Sequence, residues 1–457
     1  MSKLRRIAPR EKIAGSINNI YERFNFTRNP FPNSPGVTIG ADDPRENGSI
    51  YNAELVKAEV EQFEDLLIRS PGKPEKSRIA FLMDWATNVG RGIGKTAFLN
   101  HQNNRIMKDF GEELTKGEEV MFSSYIAPIV GESYNHFWKL SRLFVQKFIH
   151  QDIILAAVCR LRAFSGKIPE DILNTVGDDL QITVGNDDWL MERGVDVGTL
   201  NHQVRTELDR LGINSDLSES LAFWGYRNSL FLKYFNSLSD SFWRKEGVNF
   251  FFNDLVKVFI HAGFSKGILL FDELEHVFPP LNRRDRRIFT DAIRYYFIDG
   301  DNENSRKSFF QLLLVVHPYL QELMIPHWDA TGLERFAALA GKAAQNYTIY
   351  FKPIAEEFAV PLAQAYINTS RIDPKRASSL FPFNEKVLLE ALKRTGKVPG
   401  KYLQFLHKLI NEAVEKGWDD IDVAKVIEFA DSKKTIEPEV GDSVIQPLEA
   451  AEVHLKK

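Results

Sequence analysis

Apolar positions follow two different periods along this chain, and the places where one gives way to the other mark its elements. Ile79 to Trp85 is a short, mostly apolar run of strand length, separated by a glycine cluster from a helix-like segment that begins near Lys95. Val120 to Ala127 is a second strand candidate behind the charged turn Lys116-Gly117-Glu118-Glu119. Beyond it Phe and Leu recur three or four apart, as in Phe137, Leu140, Leu143 and Phe144, and the pattern is helical as far as about Phe264. Strand character returns at Ile268 to Phe271 and Phe309 to Val316, and more weakly at Tyr347 to Phe351. Strands alternating with helices predict an α/β fold, a parallel sheet flanked by helices on both faces. Pro353 to Phe429 reads as helical with a Pro/Gly interruption at Gly396 to Gly400, and Ser432 to Lys457 as a flexible tail. Residues 1–78 mix turn formers such as Asn29-Pro30 and Asn47-Gly48 with one amphipathic stretch, Ala53 to Ile68. The expected organisation is a loop-rich lead-in with a helix (1–78), a core (79–352) holding a helical insertion at about 131–264, a helical domain (353–431) and the tail (432–457).

Composition narrows the classes. With 457 residues, 44% hydrophobic and 26% charged, the chain can bury a substantial core in two or three units, which excludes disordered and collagen-like classes. Lys and Arg total 58 against 62 Asp and Glu, so no global cationic field exists and any polyanion contact must be local. The single cysteine, Cys159, rules out an internal disulfide or a cysteine-based zinc site, and its apolar neighbours make it a core thiol. The apolar runs fall far below the ~20 residues of a membrane helix. No apolar segment of about 7–15 residues follows the basic start, as a secretory signal would require. The expectation is a soluble, cytoplasmic protein without membrane contact.

Candidate chemistry lies in two places. Val89-Gly90-Arg91-Gly92-Ile93-Gly94-Lys95-Thr96 matches the phosphate-binding P-loop pattern except at Val89, where a glycine is expected. A strand before and a helix after supply the required context. A chain of phosphates needs inward backbone N–H groups and little side-chain bulk, which Gly90, Gly92 and Gly94 provide, with Arg91, Ile93 and Ala97 completing the segment. Lys95 would reach the outer phosphates, and Thr96 would hold Mg²⁺ through its hydroxyl. The second place is Gly267 to Glu273, an apolar strand ending in two carboxylates. Asp272 suits a magnesium ligand and Glu273 a base for an attacking water.

Together, Gly92-Ile93-Gly94-Lys95-Thr96 and Phe271-Asp272-Glu273 resemble the AAA+ branch of P-loop ATPases. Tyr21 to Phe31 is similar to the opening motif of the ExeA/TniB-like ATPases, with Asn25 in place of a glycine. The resemblance implies ATP and Mg²⁺ as ligands, and contact of Asn29, Pro30 and Phe31 with the adenine; a proline-anchored turn packing Phe31 inward is the other reading. It places His317, at the end of the strand Leu312 to Val316, where the family has a polar phosphate sensor, histidine being an unusual choice. Gly332-Leu333-Glu334-Arg335-Phe336 is similar to the element that donates an arginine finger, which makes Arg335 the candidate. The closing helices resemble the lid, where origin-recognition-type members carry a sensor arginine; Gly400 stands there, and Lys401 could substitute from the next position.

Lys95 and Asp272 are 177 positions apart, far more than such a core needs, hence the helical insertion and its expected protein partner. Arg283, Arg284, Arg286, Arg287 and Arg294 read either as a contact to nucleic-acid phosphates, as a contact to a neighbouring subunit, or as a solvated face, so DNA is a candidate partner. The expected function is a homo-oligomeric, Mg²⁺-dependent ATPase that remodels or regulates a protein or protein–DNA assembly. An ATP-dependent switch or scaffold with little turnover is the alternative.

Overall fold

The computed structural model describes residues 19–69, 78–85, 92–177, 179–180, 182–224, 230–299, 309–373 and 379–434. The described residues form two compact units, each discontinuous in sequence. One gathers residues within 1–55, 91–94 and 353–444, the other those within 56–90 and 95–352.

The larger unit is α/β. Its sheet holds β1 (Ile79–Asp84), β2 (Met121–Ile126), β3 (Lys266–Phe271), β4 (Phe310–Val316) and β5 (Thr348–Phe351) in the order β2-β3-β4-β1-β5. Every neighbouring pair is parallel. Strands covered on both faces need apolar side chains in both directions, which is why β1, β3 and β4 read as nearly unbroken apolar runs. Helix Lys95–Asp109 follows β1. Between β2 and β3 lie the inserted helices, among them Phe137–His150, Ile153–Phe164 and Val197–Arg210.

These inserted helices share one apolar core with the sheet. The phenylalanines explain how: Phe251 stacks on Phe310 of β4 at 4.7 Å, and Phe122 of β2 meets Phe148 at 5.4 Å and Phe259 at 4.7 Å. Gly267 is required there, because a Cβ would come within 2.7 Å of the Phe122 ring. The fully buried Arg162 pins the insertion, pairing with Asp187 at 2.8 Å and donating to the Val184 carbonyl at 3.0 Å. Cys159 is buried in the same core.

The smaller unit packs helices Ala359–Asn368, Glu385–Arg394, Pro399–Glu415 and Val423–Lys434 around the turn that carries Phe24, Phe26 and Phe31. Arg371 ties that turn down, donating to the Phe24 carbonyl at 3.0 Å and lying over the Phe26 ring. The Pro/Gly interruption in the sequence is in part a helix start: Pro399 and Gly400 form the first turn of Pro399–Glu415. Among the described residues no helix is long and apolar enough to cross a membrane.

Candidate functional site

Sheet topology dictates where the site lies. The connection from β1 runs across the sheet to β2, while that from β4 runs the other way to β5. Right-handed crossovers then place the two following helices on opposite faces, which opens a crevice at the carboxyl ends of β1 and β4. Met83 pairs with Val316, so the next residues, Asp84 and His317, stand side by side at that crevice.

Lys95, at the start of the helix after β1, lies there too. Its ammonium forms an ion pair with Asp84, the two side chains being 7% and 3% exposed. His317 Nδ1 is 3.1 Å from the other Asp84 oxygen and 3.5 Å from Lys95 Nζ. The carboxylate is the nearer neighbour and can only accept, so the ring protonated at Nδ1 donates to Asp84. On its far side, Nε2 faces Glu275 Oε1 at 3.5 Å. Burial, the largest influence on Asp84, opposes its ionisation. The hydrogen bond from His317 and the attraction of Lys95 outweigh it and hold the carboxyl below the usual range.

Two strands away, β3 delivers the second cluster. Thr96 Oγ1 donates to Asp272 Oδ2 at 2.8 Å, and Tyr125 of β2 donates to the same oxygen at 3.0 Å. The other oxygen, Oδ1, accepts the Glu273 N–H at 2.8 Å. Burial and then the adjacent Asp272 charge push the Tyr125 hydroxyl far above its ordinary range, so it stays a donor at any physiological pH. Glu273 follows the strand in the left-handed region, φ 53°, and its half-exposed carboxylate lies 3.9 Å from His276 Nε2.

The structure therefore brings Lys95, Thr96, Asp272, Glu273 and His317 to one edge of one sheet. Gly92 and Gly94 have φ of +100° and +103°, conformations that side-chain-bearing residues rarely adopt. Gly90 and Arg91 lie outside the described residues. Ile93 is buried, and Ala97 is half-buried on the helix of Lys95.

Comparisons with family models, with curated proteins and with solved structures find no match.

Phe31 is fully buried in the smaller unit, edge-on to Phe383 at 5.9 Å, and Pro30 is buried beside it. Asn29 caps that turn, donating to the His407 carbonyl at 3.0 Å and to Asn411 at 2.9 Å. All three residues are thus buried, with Asn29 and Phe31 held by side-chain contacts within this unit. Lys401 is exposed on its helix, with no side-chain partner among the described residues. Gly400 bears no side chain for a steric reason: a Cβ there would sit 2.0 Å from the Pro35 carbonyl and 2.8 Å from that of Gly92, both in the same unit.

Arg335 is exposed on a short 3-10 turn, and its guanidinium has no partner among the described residues. The arginine cluster divides by role. Arg286 donates to the Pro279 carbonyl at 2.7 Å, Arg287 pairs with Asp291 at 3.2 Å, and Arg294 pairs with Asp299 at 3.0 Å. Arg283 and Arg284 are exposed without a side-chain partner among the described residues.

Sequence reasoning missed Asp84, Glu275 and Tyr125. Asp84 had a signal, a lone acid closing an apolar strand one position beyond Met83; Tyr125 had none, since β2 shows nothing that aims it at Asp272.

Proposed function

We propose that this chain binds ATP with Mg²⁺ and hydrolyses it, as an AAA+-type P-loop ATPase acting in a homo-oligomer on a protein or protein–DNA assembly. One observation carries the reading: the hydroxyl that follows the loop lysine meets the acid that ends β3, Thr96 to Asp272 at 2.8 Å, across 176 positions of sequence. A hydroxyl beside a carboxylate is the donor set Mg²⁺ takes when phosphate oxygens and water complete its shell. Among the described residues no group of three or more His, Cys, Asp or Glu is placed to hold a metal. Thr96 and Asp272 supply two oxygen ligands, which fits a cation that arrives with its nucleotide. Bound there, Mg²⁺ would supply charge neutralisation at the phosphate oxygens.

In this reading Lys95 binds the outer phosphates, and the half-exposed Glu273 carboxylate orients and deprotonates water. Arg335, whose guanidinium has no partner among the described residues, is the group offered to a neighbouring copy's nucleotide. A slow nucleotide-dependent switch is the second reading. Gly400 favours it, because no guanidinium can reach a nucleotide from that position.

Phosphate release from ATP, with and without duplex DNA, tests both. Wild type is expected to turn over and Lys95→Ala to lose nucleotide binding. Glu273→Gln should still bind ATP while losing at least about 100-fold in turnover, the range for removing a general base. Turnover unaffected by either substitution refutes the assignment, and tight binding without turnover in wild type supports the switch.

A further inference from the structure

The acid that holds Lys95 belongs to neither motif. Asp84 sits at the end of β1, 3% exposed, and is the carboxylate that pairs with Lys95, while Glu275 lies on the far side of the His317 ring. A buried carboxylate stripped of its cation is costly, so whatever draws Lys95 toward phosphate must leave Asp84 another partner. One is already in place. His317 donates to the Asp84 oxygen that the lysine does not take, at 3.1 Å, and Glu275 faces the ring's other nitrogen. Glu275 Oε2 is itself buried with no hydrogen-bond partner, an acceptor held in reserve beside that ring.

We propose that Asp84 is a built-in competitor for Lys95: a bound triphosphate takes the lysine from it, and His317, backed by Glu275, keeps the abandoned carboxylate satisfied. Asp84 and His317 are then positioning residues, and nucleotide affinity is set by an exchange of partners at the lysine. The proposal rests on the nucleotide reading above. It accounts for a histidine at the end of β4, because a group that donates to Asp84 from a strand neighbour must reach sideways along the sheet edge rather than outward. It also gives Asp84 a sign that a supporting residue would not have. Removing a residue that merely props up the site weakens binding, whereas removing a competitor tightens it.

Equilibrium titration of the full chain with a fluorescent ATP analogue in magnesium buffer provides the test. Asp84→Asn is expected to bind at least tenfold tighter than wild type. His317→Leu, which has no donor, should bind at least threefold weaker, and that loss should vanish in the Asp84→Asn/His317→Leu double variant, because no carboxylate is left to satisfy. Should Asp84→Asn fail to fold, Asp84→Ser carries the same expected sign. Binding by Asp84→Asn that is unchanged or weaker overturns the proposal. So does a His317→Leu loss that persists in the double variant, since the histidine would then act on the nucleotide directly. Lys95→Ala separates the two layers: binding present in wild type and lost in this variant upholds the nucleotide reading whatever Asp84 does. No binding by wild type ends both.

Discussion

Gly400→Ala is the substitution for which local preference and tertiary packing give opposite signs. Gly400 lies in the first turn of helix Pro399–Glu415, and alanine is worth about 1 kcal/mol over glycine in a helix, so propensity alone favours the change. Packing opposes it. The new Cβ would stand 2.0 Å from the Pro35 carbonyl oxygen, 2.8 Å from that of Gly92 and 2.9 Å from the Gly92 Cα. All three are backbone atoms, so no rotamer change relieves the clash. The 2.8 Å hydrogen bond from the Gly400 N–H to the Gly92 carbonyl breaks as the strands of chain part. Overpacking costs roughly 1–3 kcal/mol and the lost hydrogen bond about 1 kcal/mol. After the helix gain, a net destabilisation of about 1–3 kcal/mol is left. Urea unfolding followed by circular dichroism measures it, with exposed Lys401→Ala on the same helix as the control, expected within about 0.5 kcal/mol of wild type. A Gly400→Ala protein as stable as wild type, or more so, would show that Gly400 does not rest on Gly92.

Two further predictions concern groups away from the site. Burial pushes the Cys159 thiol up to about 12, so in the folded protein it should react with a disulfide reagent at least about 1000-fold more slowly than in guanidinium-unfolded chain; rapid labelling of native protein would contradict its burial. Asp43 is pulled from 3.8 down to about 2, chiefly by the Arg45 side-chain hydrogen bond. Because its folded value lies below the unfolded one, its contribution is complete above pH 3.8 and disappears as pH falls through about 2. Asp43→Asn should therefore cost about 1 kcal/mol at neutral pH and show less loss of stability on acidification than wild type, as read from urea midpoints at neutral and acidic pH; parallel pH profiles would refute it.

What the sequence determined by itself was local. Apolar runs at Ile79, Ile268 and Phe309 mark strands because a parallel sheet covered on both faces leaves few polar positions along them. The glycines before Lys95 and the acids after Phe271 were legible for the same reason, since chemistry and conformation at each stretch depend on a few adjacent residues. Gly400 was visible only as a missing arginine, and the atoms that forbid a side chain there come from Pro35 and Gly92, distant in sequence. Only tertiary structure decided which of these stretches meet. The strand order β2-β3-β4-β1-β5 is a matter of long-range pairing, and it alone sets Asp84 beside His317, 233 positions later, and Thr96 beside Asp272. It also decided that the inserted helices are part of the sheet's own core, because Phe251 finds Phe310 across the fold rather than along the chain. Ion pairs and ring contacts of that kind follow from distance in space, which no periodicity along a sequence encodes.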